Sequence, residues 1–309
     1  LKIGRQILTW GTGDLIFIND LFPKDWRSFF VGREVEYLKA PSDAVKASFF
    51  SDYANLDVIF TPRFDADRFI NGERVSYFNS ALGEIAGQNA IVGVDRPDSA
   101  EWALRLYQTY GANEIALYGY NGFWKSPAGL DPGTGEATYP DLSTLGASLR
   151  RPFLQGIANF EIGYYYSPDS DNGSNSLVRN SELRFLLGYE REIVKNLSLG
   201  LQYYVEWMQD YDQYEKTLPQ EIPKRDEDRH LLTSRITWLT LNQNLIWSLF
   251  VFYSPSDQDV YFRPKLHYKM TDHWSTELGG NFFTGEKIHT FFGQFKDNNN
   301  VYAAFRFSF

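Results

Sequence analysis

Residues 301–309 read Val301-Tyr302-Ala303-Ala304-Phe305-Arg306-Phe307-Ser308-Phe309. In an extended chain Val301, Ala303, Phe305, Phe307 and Phe309 share one face, and Tyr302, Ala304, Arg306 and Ser308 share the other. That period of two is a β-strand with one apolar and one polar face. The stretch from Arg229 to Phe309 repeats it as five strands joined by tight turns. Upstream, Asn196 to Trp207 sets Leu197, Leu199, Leu201, Tyr203, Val205 and Trp207 against Ser198, Gly200, Gln202, Tyr204 and Glu206. Val260 to Met270 sets Val260, Phe262, Leu266 and Tyr268 against Arg263, Lys265, His267 and Lys269. Four basic groups on one face are costly in a dry core and cheap in a wetted lumen. The pattern implies a sheet with lipid outside and water inside. A soluble β-sandwich or solenoid with a solvated face is the other fold that fits.

The composition agrees. The chain has 309 residues, 20 Tyr, 25 Phe and no Cys, with a net charge of −9. The acidic balance speaks against nucleic acid as a partner. Mean hydropathy is −0.39, and no apolar run is long enough for a transmembrane helix. A barrel passes that test unseen, because only alternate strand residues face lipid. An oxidising compartment is compatible with the missing thiols. The chain opens at Leu1 without a signal peptide, which reads as a mature or trimmed form.

Strands are expected near 1–9, 45–50, 56–61, 100–109, 113–123, 142–151, 155–167, 179–190, 196–208, 229–239, 244–254, 259–269, 273–283 and 299–309. A short helix is expected over Tyr77 to Ala86. Short turns fall at Tyr110-Gly111-Ala112, Arg151-Pro152, Arg191 to Lys195, Thr240 to Gln243 and Met270-Thr271-Asp272. Longer links fall between them, at 124–141, 168–178, 209–228 and 284–298; Pro255-Ser256-Asp257 is the one short member of that set. Outer-membrane barrels have short periplasmic turns and long external loops. The expected fold is therefore all-β: a single antiparallel transmembrane β-barrel of about 14 strands, or 16 if strands precede Leu1, forming one domain over 1–309 in the outer membrane of a Gram-negative bacterium. Trp102, Trp207, Trp238, Trp247 and Trp274 fall near strand ends, where aromatic side chains settle at lipid headgroups.

The pattern resembles Gram-negative outer-membrane porin-like barrels. Phe309 resembles their C-terminal aromatic, which implies recognition by the barrel-insertion machinery. Gly4-Arg5-Gln6 followed by Trp10-Gly11 is similar to a motif of alginate-export-type porins and of a related porin family of unknown function, where it lies on an early strand and the loop after it. The resemblance implies outer-membrane lipid and lipopolysaccharide as surroundings and small solutes as cargo.

The polar faces place Lys46, Asp57, Arg105, Arg150, Glu161, Arg184, Glu206, Arg235, Arg263, Lys265, His267, Lys269, Glu277 and Arg306 toward the lumen. Bases outnumber acids there, while acids collect in the 209–228 loop: Asp210, Asp212, Glu215, Glu221, Asp226, Glu227 and Asp228. A basic bore concentrates anions, so passage of small hydrophilic, anionic or sugar-like solutes is expected. Alternatively, Arg and Glu pair across the wall and stiffen it. The long links 10–42 and 62–99 carry enough apolar residues to fold inward and narrow the bore, or else to cap it.

Two other functions fit a barrel. One is a scaffold or sleeve for a protein partner in an export or electron-transfer assembly. The other is an outer-membrane hydrolase using His230 beside Asp226 and Asp228, or His289. No Gly-x-Ser-x-Gly frame accompanies these histidines, so no enzyme is expected. Asp169-Ser170-Asp171-Asn172-Gly173 has a calcium-loop rhythm without its distal Glu. No metal site or other cofactor is expected.

Overall fold

A computed structural model describes residues 1–220 and 222–309; Glu221, one of the loop acids counted above, lies outside the described residues. Fourteen strands form one antiparallel sheet, each paired with the next along the chain. They are β1 (Lys2–Ile7), β2 (Pro41–Phe49), β3 (Asn55–Thr61), β4 (Glu101–Tyr110), β5 (Asn113–Phe123), β6 (Asp141–Phe153) and β7 (Gly156–Tyr166). There follow β8 (Glu182–Val194), β9 (Leu197–Met208), β10 (Asp228–Thr240), β11 (Leu245–Ser254), β12 (Asp259–Lys269), β13 (Trp274–Gly285) and β14 (Asn300–Phe307). Among the described residues no ladder joins β14 back to β1.

Short turns occupy one end of the sheet and, apart from 255–258, the long links occupy the other. Two expected turns move. β6 runs through Arg151 and Pro152 to Phe153, and the turn falls on Leu154 and Gln155, both at positive φ. Two successive positive-φ residues make the hairpin turn whose twist matches the strands. Pro152 is tolerated because it lies one rung short of that turn and beyond the last rung that β6 shares with β5. β8 likewise continues past Arg191 to Val194, with a register irregularity between Glu192 and Val194.

The helix expected over Tyr77 to Ala86 is a hairpin instead, Tyr77–Asn79 with Glu84–Ala86. The Asn79 side chain accepts from the Ala81 and Leu82 N–H groups, and Gly83 sits at φ +69°. An Asx turn followed by a left-handed residue ends any helix at that point. A second hairpin pairs Gly129–Leu130 with Ala137–Thr138. Two short helices arise in links where none was expected. They are α1 (Trp26–Phe30), capped by the Asp25 carboxylate on the Ser28 N–H at 2.8 Å, and α2 (Tyr211–Thr217).

The two faces of the sheet have opposite character. Leu145 is 72% exposed and Leu187 59%, with Leu104, Leu117, Leu201 and Leu278 exposed on the same side. On the other side Glu161 is 1% exposed and Asp57 2%, among Ser42, Thr144, Gln202 and Thr233, also buried. Exposed leucines over buried carboxylates reverse the order of a water-soluble sheet.

The buried core lies on the polar face and is built around residues 8–40, the link between β1 and β2. Leu21 and Phe22 share a small cavity with Ile59, Ala103 and Tyr120 of β3, β4 and β5. Trp10 meets Tyr118 of β5 at 6.0 Å and Phe22 at 4.9 Å. At its other end Phe29 meets Tyr261 of β12 at 5.9 Å, and Phe30 meets Phe283 of β13 at 5.5 Å. The Asn300 amide of β14 reaches the Phe30 carbonyl at 3.3 Å. One segment touches strands from β3 to β14, so the sheet curls around it. An aromatic cluster of Phe250, Phe252, Tyr261, Phe283, Phe292 and Phe295 fills the long-link half of the interior. The inner face is therefore not uniformly polar, as strict alternation had implied: where residues 8–40 dock, apolar contacts replace water.

Candidate functional site

The candidate site is the level at which residues 10–20 cross the interior. The crossing begins with a turn that needs glycine twice. Gly11 has φ +81°, and a Cβ there would sit 3.1 Å from a Glu161 carboxylate oxygen. A Cβ on Gly13 would collide with the Ile16 carbonyl. Without side chains at these positions the backbone closes on β7. Glu161 then accepts from the Thr12 N–H, the Thr12 hydroxyl at 2.9 Å and the Gly13 N–H at 2.8 Å. It also accepts from the Asn19 N–H at 3.3 Å and the Asn19 amide at 2.8 Å. A carboxylate saturated with donors can be buried without a counter-cation.

Beside it the Asp14 N–H donates to Gln202 Oε1 at 2.7 Å, and Gln202 Nε2 donates to the Asp14 carbonyl at 2.8 Å. The Asp14 carboxylate takes two guanidinium contacts from Arg235 of β10. On β6 and β7, Gly146 and Gly163 leave the wall flat where Asn19 and Ile18 rest; a Cβ at 163 would stand 2.6 Å from Ile18 and one at 146 would overlap Asn19.

The motif residues gain roles here. Trp10 and Gly11 begin the crossing, and the Gln6 amide, buried, donates to the Ala44 carbonyl at 2.9 Å, fixing β1 to β2. Gly4 has φ +112° with open space around it, and Arg5 pairs with Asp43 at 3.3 Å in an exposed setting.

The basic residues assigned to the lumen are nearly all paired. Lys46 meets Asp57 at 2.9 Å, Arg150 meets Glu114 at 3.9 Å, and Arg306 meets Glu34 of the crossing segment. Glu277 is buried beneath Lys265 and His267, at 3.5 and 3.7 Å. Lys269 reaches Asp272 at the rim, 2.7 Å away. Arg263 donates to the Arg33 carbonyl at 2.6 Å and lies over the Phe29 ring. Arg105 lies over Tyr107 and Tyr118. Phe309 is fully exposed, beyond the end of β14.

Arg184 and Glu206 belong to a cluster at the long-link end that the sequence did not announce. Arg179, Arg184 and Arg225 converge on Glu182 and Glu206 at 2.6–3.8 Å, with Arg179 and Arg184 over the Trp124 ring. Burial pulls the Arg179 pKa down, but Glu182 and Glu206 outweigh it and hold it above the ordinary arginine value. The cluster ties the 124–140, 167–181 and 209–227 links to β8 and β9. Its only advance signal was Arg179, Arg184, Arg225 and Arg229 standing in a stretch otherwise rich in acids.

The histidines of the hydrolase alternative have other partners. His230 Nδ1 meets the Tyr203 hydroxyl at 2.7 Å and the rings stack on the outer face; His289 lies against Phe78. In the calcium-like string, Asp169 accepts the Asp141 N–H at 2.9 Å and Asn172 sits at positive φ. Among the described residues no three His, Cys, Asp or Glu side chains gather as a metal site.

No protein-family model matches the chain, and no curated protein matches it. The solved structure of a porin is similar to it with a TM-score of 0.44 and 11% identity, covering 81% of this chain and 89% of that one.

Proposed function

We propose that the sheet closes into a transmembrane barrel in the outer membrane of a Gram-negative bacterium. It would act there as a channel for small hydrophilic solutes, anionic or sugar-like. The observation that carries this is the inverted sheet: leucines exposed along the outside, and ionised groups paired within. Such an arrangement is stable when the outer solvent is hydrocarbon and the inner one is water. Trp102, Trp207, Trp238, Trp247 and Trp274, all exposed, would then form the two headgroup girdles.

In this reading residues 8–40 set the bore, since they cross the interior and bind both walls. Occupation of the interior by the chain's own residues weighs against a sleeve around a second protein. Planar-bilayer recording of the purified, detergent-extracted chain is the test. Discrete conductance steps that grow when residues 11–34 are replaced by a short glycine-serine linker are expected. A chain that stays monomeric in water without detergent would end the proposal.

A further inference from the structure

The interior bases differ in how fully their charge is answered. Arg184, Arg235 and Arg306 each contact a carboxylate, Lys46 contacts Asp57, and Lys265 contacts Glu277. Arg263 is engaged by the Arg33 carbonyl and the Phe29 ring. Arg105 of β4 stands apart. Among the described residues no carboxylate lies within salt-bridge distance of it, and its Nε is buried without a hydrogen-bond partner. The nearest acid in register is Asp57 on β3, but Asp57 is held by Lys46 at 2.9 Å and by the Ser48 hydroxyl at 2.5 Å. Across the site Glu161 is saturated by the crossing turn.

The Arg105 guanidinium lies 4.3 Å above the Tyr107 ring centroid and 5.8 Å from that of Tyr118. Two rings fix its plane while leaving its charge uncompensated. A guanidinium held in this way has lost side-chain freedom in advance and presents parallel N–H donors that match the two oxygens of a carboxylate or phosphate. A half-buried cation without a counter-ion is costly, and an incoming oxyanion removes that cost.

We propose that Arg105 is the anion-recognition residue of the interior, binding a small oxyanion of the phosphate or carboxylate type at the edge of the guanidinium away from Tyr107. The proposal rests on the channel reading only in requiring that solute can reach the inner face.

Labelling with phenylglyoxal, an arginine-directed reagent, tests it on the full chain in detergent. With mass-spectrometric readout, Arg105 should react well ahead of Arg184 and Arg235, and inorganic phosphate should protect it where chloride at the same ionic strength does not. A slow Arg105, or one that phosphate leaves unprotected, overturns the proposal. In bilayers, phosphate block should weaken about tenfold or more in Arg105→Gln, as for loss of one charged hydrogen bond, and be partly restored in Arg105→Lys. An unchanged block in Arg105→Gln also overturns it. A wild-type chain that never conducts defeats the channel and leaves the labelling result to stand alone.

Discussion

Single residues decide whether the interior can be filled. Gly146 and Gly163 carry no chemistry, yet they are where Asn19 and Ile18 touch the wall. Gly163→Val should force Ile18 off β7, costing about 1–3 kcal/mol of stability as an overpacked contact. Faster proteolysis within residues 10–20 and larger conductance steps should accompany it. An unchanged digestion pattern would show that the crossing segment does not depend on this contact. Leu187 tests the opposite face. Leu187→Arg on a surface wetted by water would be close to neutral, but in the middle of a hydrocarbon belt it costs about 2–4 kcal/mol. Urea titration of the chain folded into lipid vesicles measures the difference.

At the scale of elements, the strands were legible; an inward fold of the 10–42 link was one of the two readings its apolar residues allowed, and the partners it meets were not legible. Alternation in Leu197 to Trp207 or Val301 to Phe309 is local, so fourteen strands and their shared turn end could be read from the chain itself. The 8–40 link carries Leu15, Ile16, Phe17, Leu21 and Phe22 without a period, and its partners lie far away in sequence: Glu161, Gln202, Arg235 and Asn300. Nothing local announces such contacts. Sidedness alone also overstated the basic bore, because pairing partners such as Asp14 and Glu34 come from a link and not from a strand.

The Asp14–Arg235 pair gives a prediction for that link. Asp14→Arg should loosen it, and adding Arg235→Asp should restore it; conductance noise or protease sensitivity reads both. A double variant as loose as the single one would remove the pair from the account. The 124–140 link offers a second test. Tyr139, packed 5.0 Å from Phe64, has its pKa raised by burial from about 10 to about 12. A raised folded value means its stabilisation is complete below pH 10 and is lost as pH climbs through about 12. Tyr120, Tyr165, Tyr204 and Tyr261 are buried as well, so the readout is a difference: ultraviolet titration of the wild type should show one more tyrosine ionising near pH 12 than that of Tyr139→Phe.

For the whole molecule, position of residues 8–40 in the chain matters as much as their contacts. They leave the sheet after its first strand and re-enter at its second, yet they bind side chains as distant as Asn300, 270 positions away. Docking onto β7, β9 and β10 and against Asn300 of β14 needs all four strands in place at once. If the sheet closes as proposed, the link fills the ring it is tied to, and its contacts are expected late in folding, because contacts so distant in sequence are slow to close.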